Sequence, residues 1–202
     1  MKYRSINALL ILNMLALTAP FLRSFDITPL TSAQTLPAPA TKDNPELARL
    51  MQEDQADRTP DDPKLIDWKI VGPRDAARLK RVKELYAHNQ LKTGGDYYHA
   101  AMLLQHSDAA DDFLLAHELC VAAISKGDAR AKWLAAASED RFLMNIGRPQ
   151  RFATQFRCDG PNCEFHLYKV DETVTDELRK ALDVPSLAEA KAREAKMQRK
   201  NK

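Results

Sequence analysis

From Pro73 to Gly147 the chain is a succession of apolar-periodic segments of helical length separated by glycines, and this punctuation constrains the fold more than any other feature. The segment from Pro73 places Ala76, Ala77, Leu79, Val82, Leu85 and Tyr86 on one helical stripe, and Gly94-Gly95 is expected to stop it. Asp96 would cap the next helix, with Ala100, Ala101, Leu103 and Leu104 inward. Asp111 or Asp112 begins another, carrying Leu114, Leu115, Leu119, Ala122 and Ala123, and Gly127 closes it. Asp128 then caps a segment holding Ala131, Trp133, Leu134, Ala137, Phe142 and Leu143. It is apolar almost all round, which predicts the buried centre of a bundle. Upstream, Asn44 is a good N-cap and Pro45 suits the first helical position. A first helix with Leu47, Leu50 and Met51 should run to about Asp57, before Thr59-Pro60-Asp61-Asp62-Pro63.

After Gly147 the pattern changes. Phe152 to Arg157 and Glu164 to Val170 alternate and are rich in aromatics, and Asp159-Gly160-Pro161-Asn162 is strong turn chemistry. A β-hairpin follows. Thr173-x-x-Asp176 and Ser186-x-x-Glu189 each resemble a capping box, so two more helices should close the chain, the last fraying past Lys191 for want of an apolar stripe. The expected fold is mainly α: a compact bundle of five to seven helices over residues 45–190, with one small β-hairpin near residues 152–170 and a basic tail at 191–202.

The N-terminus bears on location. Lys2 and Arg4 precede an apolar run from Ile6 to Leu17, the length of a signal-peptide core rather than of a full membrane span. Export to a periplasmic or extracellular space is expected. Two forms stay open: cleavage after the small residues Thr31-Ser32-Ala33, which makes 1–33 a signal peptide, or an uncleaved anchor tethering the protein through residues 6–22. Residues 34–44, with prolines and small side chains, read as a linker. With 30 Lys+Arg against 28 Asp+Glu, the chain has no electrostatic footprint for nucleic acid.

Cys158 and Cys163 flank the hairpin turn and suit a disulfide in an oxidising compartment. A metal site of Cys158, Cys163 and His166 is the alternative, although it lacks a second cysteine pair. Cys120, on the apolar face of its helix, reads as core. A metal site of His99, His106 and His117 would need tertiary proximity, and no metal or cofactor is expected. The chain carries no G-x-S-x-G, no HE-x-x-H, no phosphate-binding glycine loop and no dinucleotide fingerprint.

The segment Pro149-Gln150-Arg151-Phe152-Ala153-Thr154-Gln155 packs two amides, a guanidinium and a hydroxyl into a few residues. A surface loop has no need of that density, whereas a pocket or a rigid polar joint does. Asp140 and Arg141, being adjacent near a helix end, point about 100° apart, so one of them can pair with Arg58 or Asp54 on the first helix while the other reaches this segment. Gln150 and Gln155 can each satisfy helix-end amides and carbonyls, which makes a buried polar clamp holding the hairpin to the bundle the plainer reading.

The ordered set Asp54-Gln55-x-x-Arg58, Gln105-His106, Glu139-Asp140-Arg141 and Gly147-x-Pro149-Gln150-Arg151-Phe152-x-Thr154-Gln155, with Leu178-Arg179-Lys180 and Pro185-x-Leu187, resembles a bacterial family of unknown function. That family carries DQ-x-x-R, QH, L-x-DR and G-x-PQ-R-Y-GTQ motifs in this order. Phe152 stands where it has Tyr and Ala153 where it has Gly. The resemblance implies an architecture and a candidate site, not an activity. Ala100-Ala101-Met102-Leu103 and Ala131-Lys132-Trp133-Leu134 are also similar to the small-residue pattern of Sel-one-like and tetratricopeptide hairpins, over about one and a half repeats.

Two functions of different class follow. One is a binding or interaction module with a polar groove, its partner a protein, a peptide or a small ligand, using Asp54, Gln55, Arg58, Gln105, Gln150, Arg151, Thr154 and Gln155. The other is a small hydrolase-like enzyme with His106 as general base, Asp140 as its orienting carboxylate, and Arg141 or Arg151 binding an anionic group. The plainer reading of His106 is a helix C-cap donor stabilised by the helix dipole.

Overall fold

The computed structural model describes residues 42–59, 66–159 and 164–200. The segment expected to direct export, most of the expected linker and Cys163 lie outside them.

Helix α1 (Pro45–Ala56) starts as its sequence dictates, with the Asn44 side chain accepting the Glu46 N–H at 2.9 Å. Helix α2 (Trp68–Ala87) begins at Trp68, not at Pro73, because Asp67 caps it through the Lys69 N–H at 3.0 Å. Pro73 therefore sits inside the helix. Gly72 before it has no Cβ to meet the proline ring, which eases the restriction that a proline places on the residue preceding it. The buried stripe of α2 also differs from expectation: Val71, Arg78, Val82 and Leu85 face inward, while Ala76, Ala77 and Tyr86 are exposed.

Helix α3 (Gly94–Leu104) is capped by Thr93, with Asp96 completing a reciprocal capping box rather than acting as the cap itself. Gly94-Gly95 opens α3 instead of stopping α2. A Cβ on Gly94 would lie 2.9 Å from Asp128 Cβ and 3.3 Å from the Ala123 carbonyl, so this glycine permits close packing. Helices α4 (Ala110–Ser125) and α5 (Ala131–Asn145) follow. The expected starts shift here too. Asp111 and Asp112 lie within the first turn of α4, and Asp128 precedes α5, bonding the Arg130 N–H at 3.2 Å. Gly127 and Gly147 end these helices at φ 89° and 76°, and the N–H one residue later bonds back into the helix: Asp128 to the Ala123 carbonyl, Arg148 to that of Leu143. Asn89 and Asp183 make the same turn at φ 55° and 56° after other helices.

The main core joins Leu47, Leu50, Val82, Leu85, Leu103, Leu104, Leu119 and Leu134 around alanines that let the helices approach closely. Helix α3 packs against α1, α2 and α4, which places α3 in the middle of the bundle. Helix α5 is not the buried centre the sequence suggested: Trp133 is 39% exposed, and part of its inward face is covered by the segment after Gly147.

Strands β1 (Phe156–Asp159) and β2 (Glu164–Leu167) pair antiparallel, with Cys158 opposite Phe165. The hairpin is shorter than its alternating pattern because 152–155 is drawn into a turn, with Ala153 at φ 62°. Helix α6 (Asp176–Ala181) is capped by Thr175, whereas Thr173 bonds Asp171. Helix α7 (Leu187–Lys200) has the expected Ser186/Glu189 capping box. It does not fray at Lys191. In place of an apolar stripe it uses contacts to both strands of the hairpin: Glu194 accepts the Leu167 N–H of β2 at 2.8 Å, and Arg193 lies over the Phe156 ring of β1. Among the described residues there are thus seven helices and one two-stranded hairpin, a mainly α bundle, and no helix is long and apolar enough to cross a membrane.

Candidate functional site

The segment after Gly147 is organised by one carboxylate. Asp140, fully buried on α5, accepts the backbone N–H groups of Arg151 at 2.7 Å and Phe152 at 2.9 Å through Oδ1, and the N–H and hydroxyl of Thr154 at 3.0 and 2.7 Å through Oδ2. Burial pushes the Asp140 carboxyl above its ordinary range, against the downward pull of these four donors. Gln150 closes the turn from within. Its Nε2 donates to the carbonyls of Gln155 and Tyr168 at 2.9 Å each, and its Oε1 accepts the Gln155 N–H at 2.8 Å. Its backbone bridges to Lys169 and Asp171 as well, so Gln150 ties the turn to the segment running from β2 toward α6. Buried Arg179 fastens the other side, donating to the carbonyls of Val174 and Arg151. The clamp read from the sequence is present, with Asp140 and Gln150 at its centre.

A second polar cluster joins α1 to α2. Asp54 is 1% exposed and accepts Arg58 Nη1 at 2.7 Å and Gln55 Nε2 at 2.8 Å. Arg58 reaches on to Asp75 at 2.6 Å; Arg78 binds Asp57 at 2.6 Å and Asp75 at 3.0 Å. Each acidic group meets a guanidinium, as charges withdrawn from water require. His106 arrives from the end of α3, its Nε2 standing 3.3 Å from Asp54 Oδ2 at ion-pair distance but poorly aligned for a hydrogen bond. Burial pushes the Asp54 carboxyl up, yet the His106 imidazole and the Arg58 charge outweigh that, and the group lies below its ordinary value.

Between the cluster and the clamp lies an open cleft of about 310 Å³. Arg58, Asp75, Gln105, His106 and Ser107 form one part of its lining and Arg141 and Gln155 another, with Trp68, Phe113 and Met144 as apolar surface and Asp108 also present. Arg141 donates from Nη1 to the Gln105 carbonyl at 2.7 Å, satisfying an end group of α3. Gln155 reaches Thr154 Oγ1 at 2.9 Å.

The structure thus divides the residues singled out from the sequence. Arg58, Gln105, His106, Arg141 and Gln155 meet in the cleft, with Asp54 and Gln55 directly behind it. Asp140, Gln150 and Thr154 belong to the clamp and do not line the cleft. Arg151 turns its guanidinium toward Glu139 and Asp171, at 3.4 Å from each. The carboxylate beside His106 is Asp54 and not Asp140. Sequence reasoning missed Asp57, Asp75 and Arg78, although Asp75-x-x-Arg78 is an acidic–basic pair at helical i,i+3 spacing, as Asp54-x-x-x-Arg58 is at i,i+4. It also missed the apolar lining from Trp68, Phe113 and Met144, which no spacing rule marks.

His117 bonds the Ala135 carbonyl through Nδ1, and among the described residues no group of three or more His, Cys, Asp or Glu is placed to hold a metal ion. Cys120 is buried with its thiol pushed up to about 12 by burial, which makes it an inert core residue. No protein-family model, curated protein or solved structure matches the chain.

Proposed function

We propose that this chain is an exported helical binding module whose cleft, between the α1–α2 ion cluster and the Asp140 clamp, receives a small ligand or a segment of a peptide or protein partner. The observation that carries the reading is the convergence in one cleft of Arg58, Gln105, His106, Arg141 and Gln155, which come from distant stretches of sequence. A volume of about 310 Å³ sits at the small end of the usual range for ligand pockets. Donors, a titratable imidazole and apolar surface side by side are the usual means of orienting one ligand. Export rests on Lys2, Arg4 and the apolar run of residues 6–17, with a tether through residues 6–22 if that run is retained.

The hydrolase-like alternative draws less support. It needs Asp140 beside His106, but both Asp140 oxygens are engaged by the clamp. The one hydroxyl in the cleft, Ser107, donates to Asp112 at 2.6 Å and accepts the Ala109 N–H, so it is not poised for attack.

A library screen by thermal shift tests the binding reading. Trp68 is 56% exposed at the cleft, so Trp68→Ala should fold normally and abolish the stabilisation given by true cleft ligands. Trp133→Ala, on α5 outside the cleft, should retain it. Hits indifferent to Trp68, or a complete lack of hits, would count against the cleft as the functional surface.

A further inference from the structure

We infer that the cleft takes a small organic carboxylate, its carboxylate group paired with the Arg141 guanidinium and its apolar end against Trp68, Phe113 and Met144. This rests on the cleft being the binding surface and names the chemistry of its ligand.

Arg141 is the unusual charge of the molecule. Arg58 and Arg78 each contact two carboxylates or more, and even fully buried Arg179 holds Asp176 at 3.1 Å. Arg141 is largely buried, yet no carboxylate of the described residues lies within ion-pair distance of it. Its Nη1 is engaged by the Gln105 carbonyl, and its Nε is buried with no acceptor. The C-terminal end of α3 offers a partial negative charge of roughly half an elementary unit, which offsets only part of the guanidinium. Burial accordingly pulls Arg141 below its ordinary range with nothing charged to hold it up. A buried donor and an unbalanced charge at the wall of a cleft call for an anionic acceptor from outside.

The kind of anion follows from what is left. With Nη1 occupied, the Nε–Nη2 edge remains; Nε is closed to solvent, so the side chain must turn before these two parallel N–H groups, whose spacing matches the two oxygens of a carboxylate, meet a ligand. A dianionic phosphate fits less well, because Asp75 and Asp108 share the same lining and one free guanidinium edge cannot balance two charges. Trp68, Phe113 and Met144 ask for a short apolar body, and the volume limits it to a few carbon atoms or one ring.

The full-length chain is titrated with sodium phenylacetate, its neutral isostere phenylacetamide, sodium butyrate and inorganic phosphate at constant ionic strength, following Trp68 fluorescence in a Trp133→Phe background. The expected result is saturable quenching by the two carboxylates, with phenylacetamide at least tenfold weaker and phosphate weaker still. Arg141→Lys, checked for folding by circular dichroism, should weaken phenylacetate at least tenfold, since one ammonium cannot make the paired contact. Asp108→Asn should strengthen it, and Arg130→Ala, whose guanidinium pairs with Asp128, should leave it unchanged. Phenylacetamide binding as tightly as phenylacetate would overturn the carboxylate and leave the cleft standing. Tighter phosphate binding would assign the wrong anion. Silence of Trp68 toward all four probes would also overturn the carboxylate, while the cleft itself is judged separately by its Trp68-dependent library hits. The comparison of phenylacetate with phenylacetamide needs no Arg141 variant and decides the matter even if one fails to fold.

Discussion

Asp140 grips Thr154 twice, through its backbone N–H at 3.0 Å and its hydroxyl at 2.7 Å, while the other oxygen of the same carboxylate holds the N–H groups of Arg151 and Phe152. One side chain thus satisfies the buried amides of a turn that cannot form a strand, and the polar density after Gly147 has a structural cause. The turn in turn forms one wall of the cleft, since Gln155 is its last residue and lines it.

Asp140→Asn tests this grip. The substitution is isosteric but leaves one oxygen and an amide nitrogen, so two of the four donors would face another donor. The cost should be about 2–4 kcal/mol, from two buried groups losing acceptors, even though removing a buried charge returns part of it. Chemical denaturation measures it; a loss under about 1 kcal/mol would mean the turn can find other acceptors.

Gln150, and not Gln155, should be the costlier amide to truncate. Three hydrogen bonds from the Gln150 side chain go to backbone groups, whereas Gln155 Nε2 has Thr154 Oγ1 and a 3.5 Å contact to the Ala137 carbonyl. Gln150→Ala is expected to destabilise by about 3 kcal/mol and Gln155→Ala by about 1 kcal/mol. His106→Ala should change the melting temperature little and act on ligand binding instead. Melting curves for the three variants give the order, and Gln155→Ala as the most destabilised would reverse the assignment.

The α1–α2 cluster yields a contrast of burial. Arg78 is 5% exposed and touches Asp57 and Asp75, so Arg78→Ala takes a buried partner from two partly buried carboxylates, which keep Arg74 and Arg58, and should cost about 2 kcal/mol. Arg74 also binds Asp57 at 2.6 Å, but its side chain is mostly in water, and Arg74→Ala should cost less than about 1 kcal/mol. Equal losses in denaturant titrations would show that burial is not what separates them.

Much of this fold was legible and the failures have specific causes. Asn44-Pro45, Ser186-x-x-Glu189, Gly127 and Gly147 mark ends correctly because capping and positive φ are local chemistry that residue type alone reports. Pro73 misled because a proline suits a first turn and says nothing about an aspartate six positions earlier that caps more strongly. Gly94 reads as a helix stop, whereas its role is close contact with Asp128, a residue of another loop that local spacing does not reveal. The 100° argument separated Asp140 from Arg141, but Arg141 bonds the Gln105 carbonyl of α3 and does not pair with Asp54 of α1. What the sequence withheld was that α1 lies against α3, and so that the partner of His106 is Asp54.

Export and the Cys158–Cys163 disulfide are checked together. Protein recovered from its native compartment should lack free thiols at these two positions by non-reducing mass spectrometry. N-terminal sequencing distinguishes cleavage near Ala33 from a retained anchor. The short loop implies a modest gain of about 2 kcal/mol. An intact Met1 on soluble cytoplasmic protein with both thiols free would remove the case for both.

The last prediction concerns acid. Asp54 has a folded-state carboxyl below its ordinary value of 3.8, with Gln55 and Arg58 of α1, Arg78 of α2 and His106 after α3 all facing it. A depressed carboxyl contributes stability that is fully present above the unfolded value and is lost as pH falls through the folded one. Asp140 and Glu139 work in the opposite sense: burial raises both, so their contribution is present at low pH and declines as pH rises through their folded values. The overall acid limb therefore mixes signs, and a single variant is needed to isolate Asp54. Asp54→Asn should cost about 1–3 kcal/mol at neutral pH, because Arg58 keeps Asp75 but loses its buried anion. That difference from the native chain should hold down to about pH 4 and then shrink, since the unfolded carboxyl takes up its proton around 3.8 and the native one only at lower pH. Urea titrations of both proteins between pH 7 and pH 2.5 measure it, both figures being roughly the span over which the linkage acts. A difference that stays constant to the acid end would show that the charge of Asp54 is not what binds α1 to its neighbours.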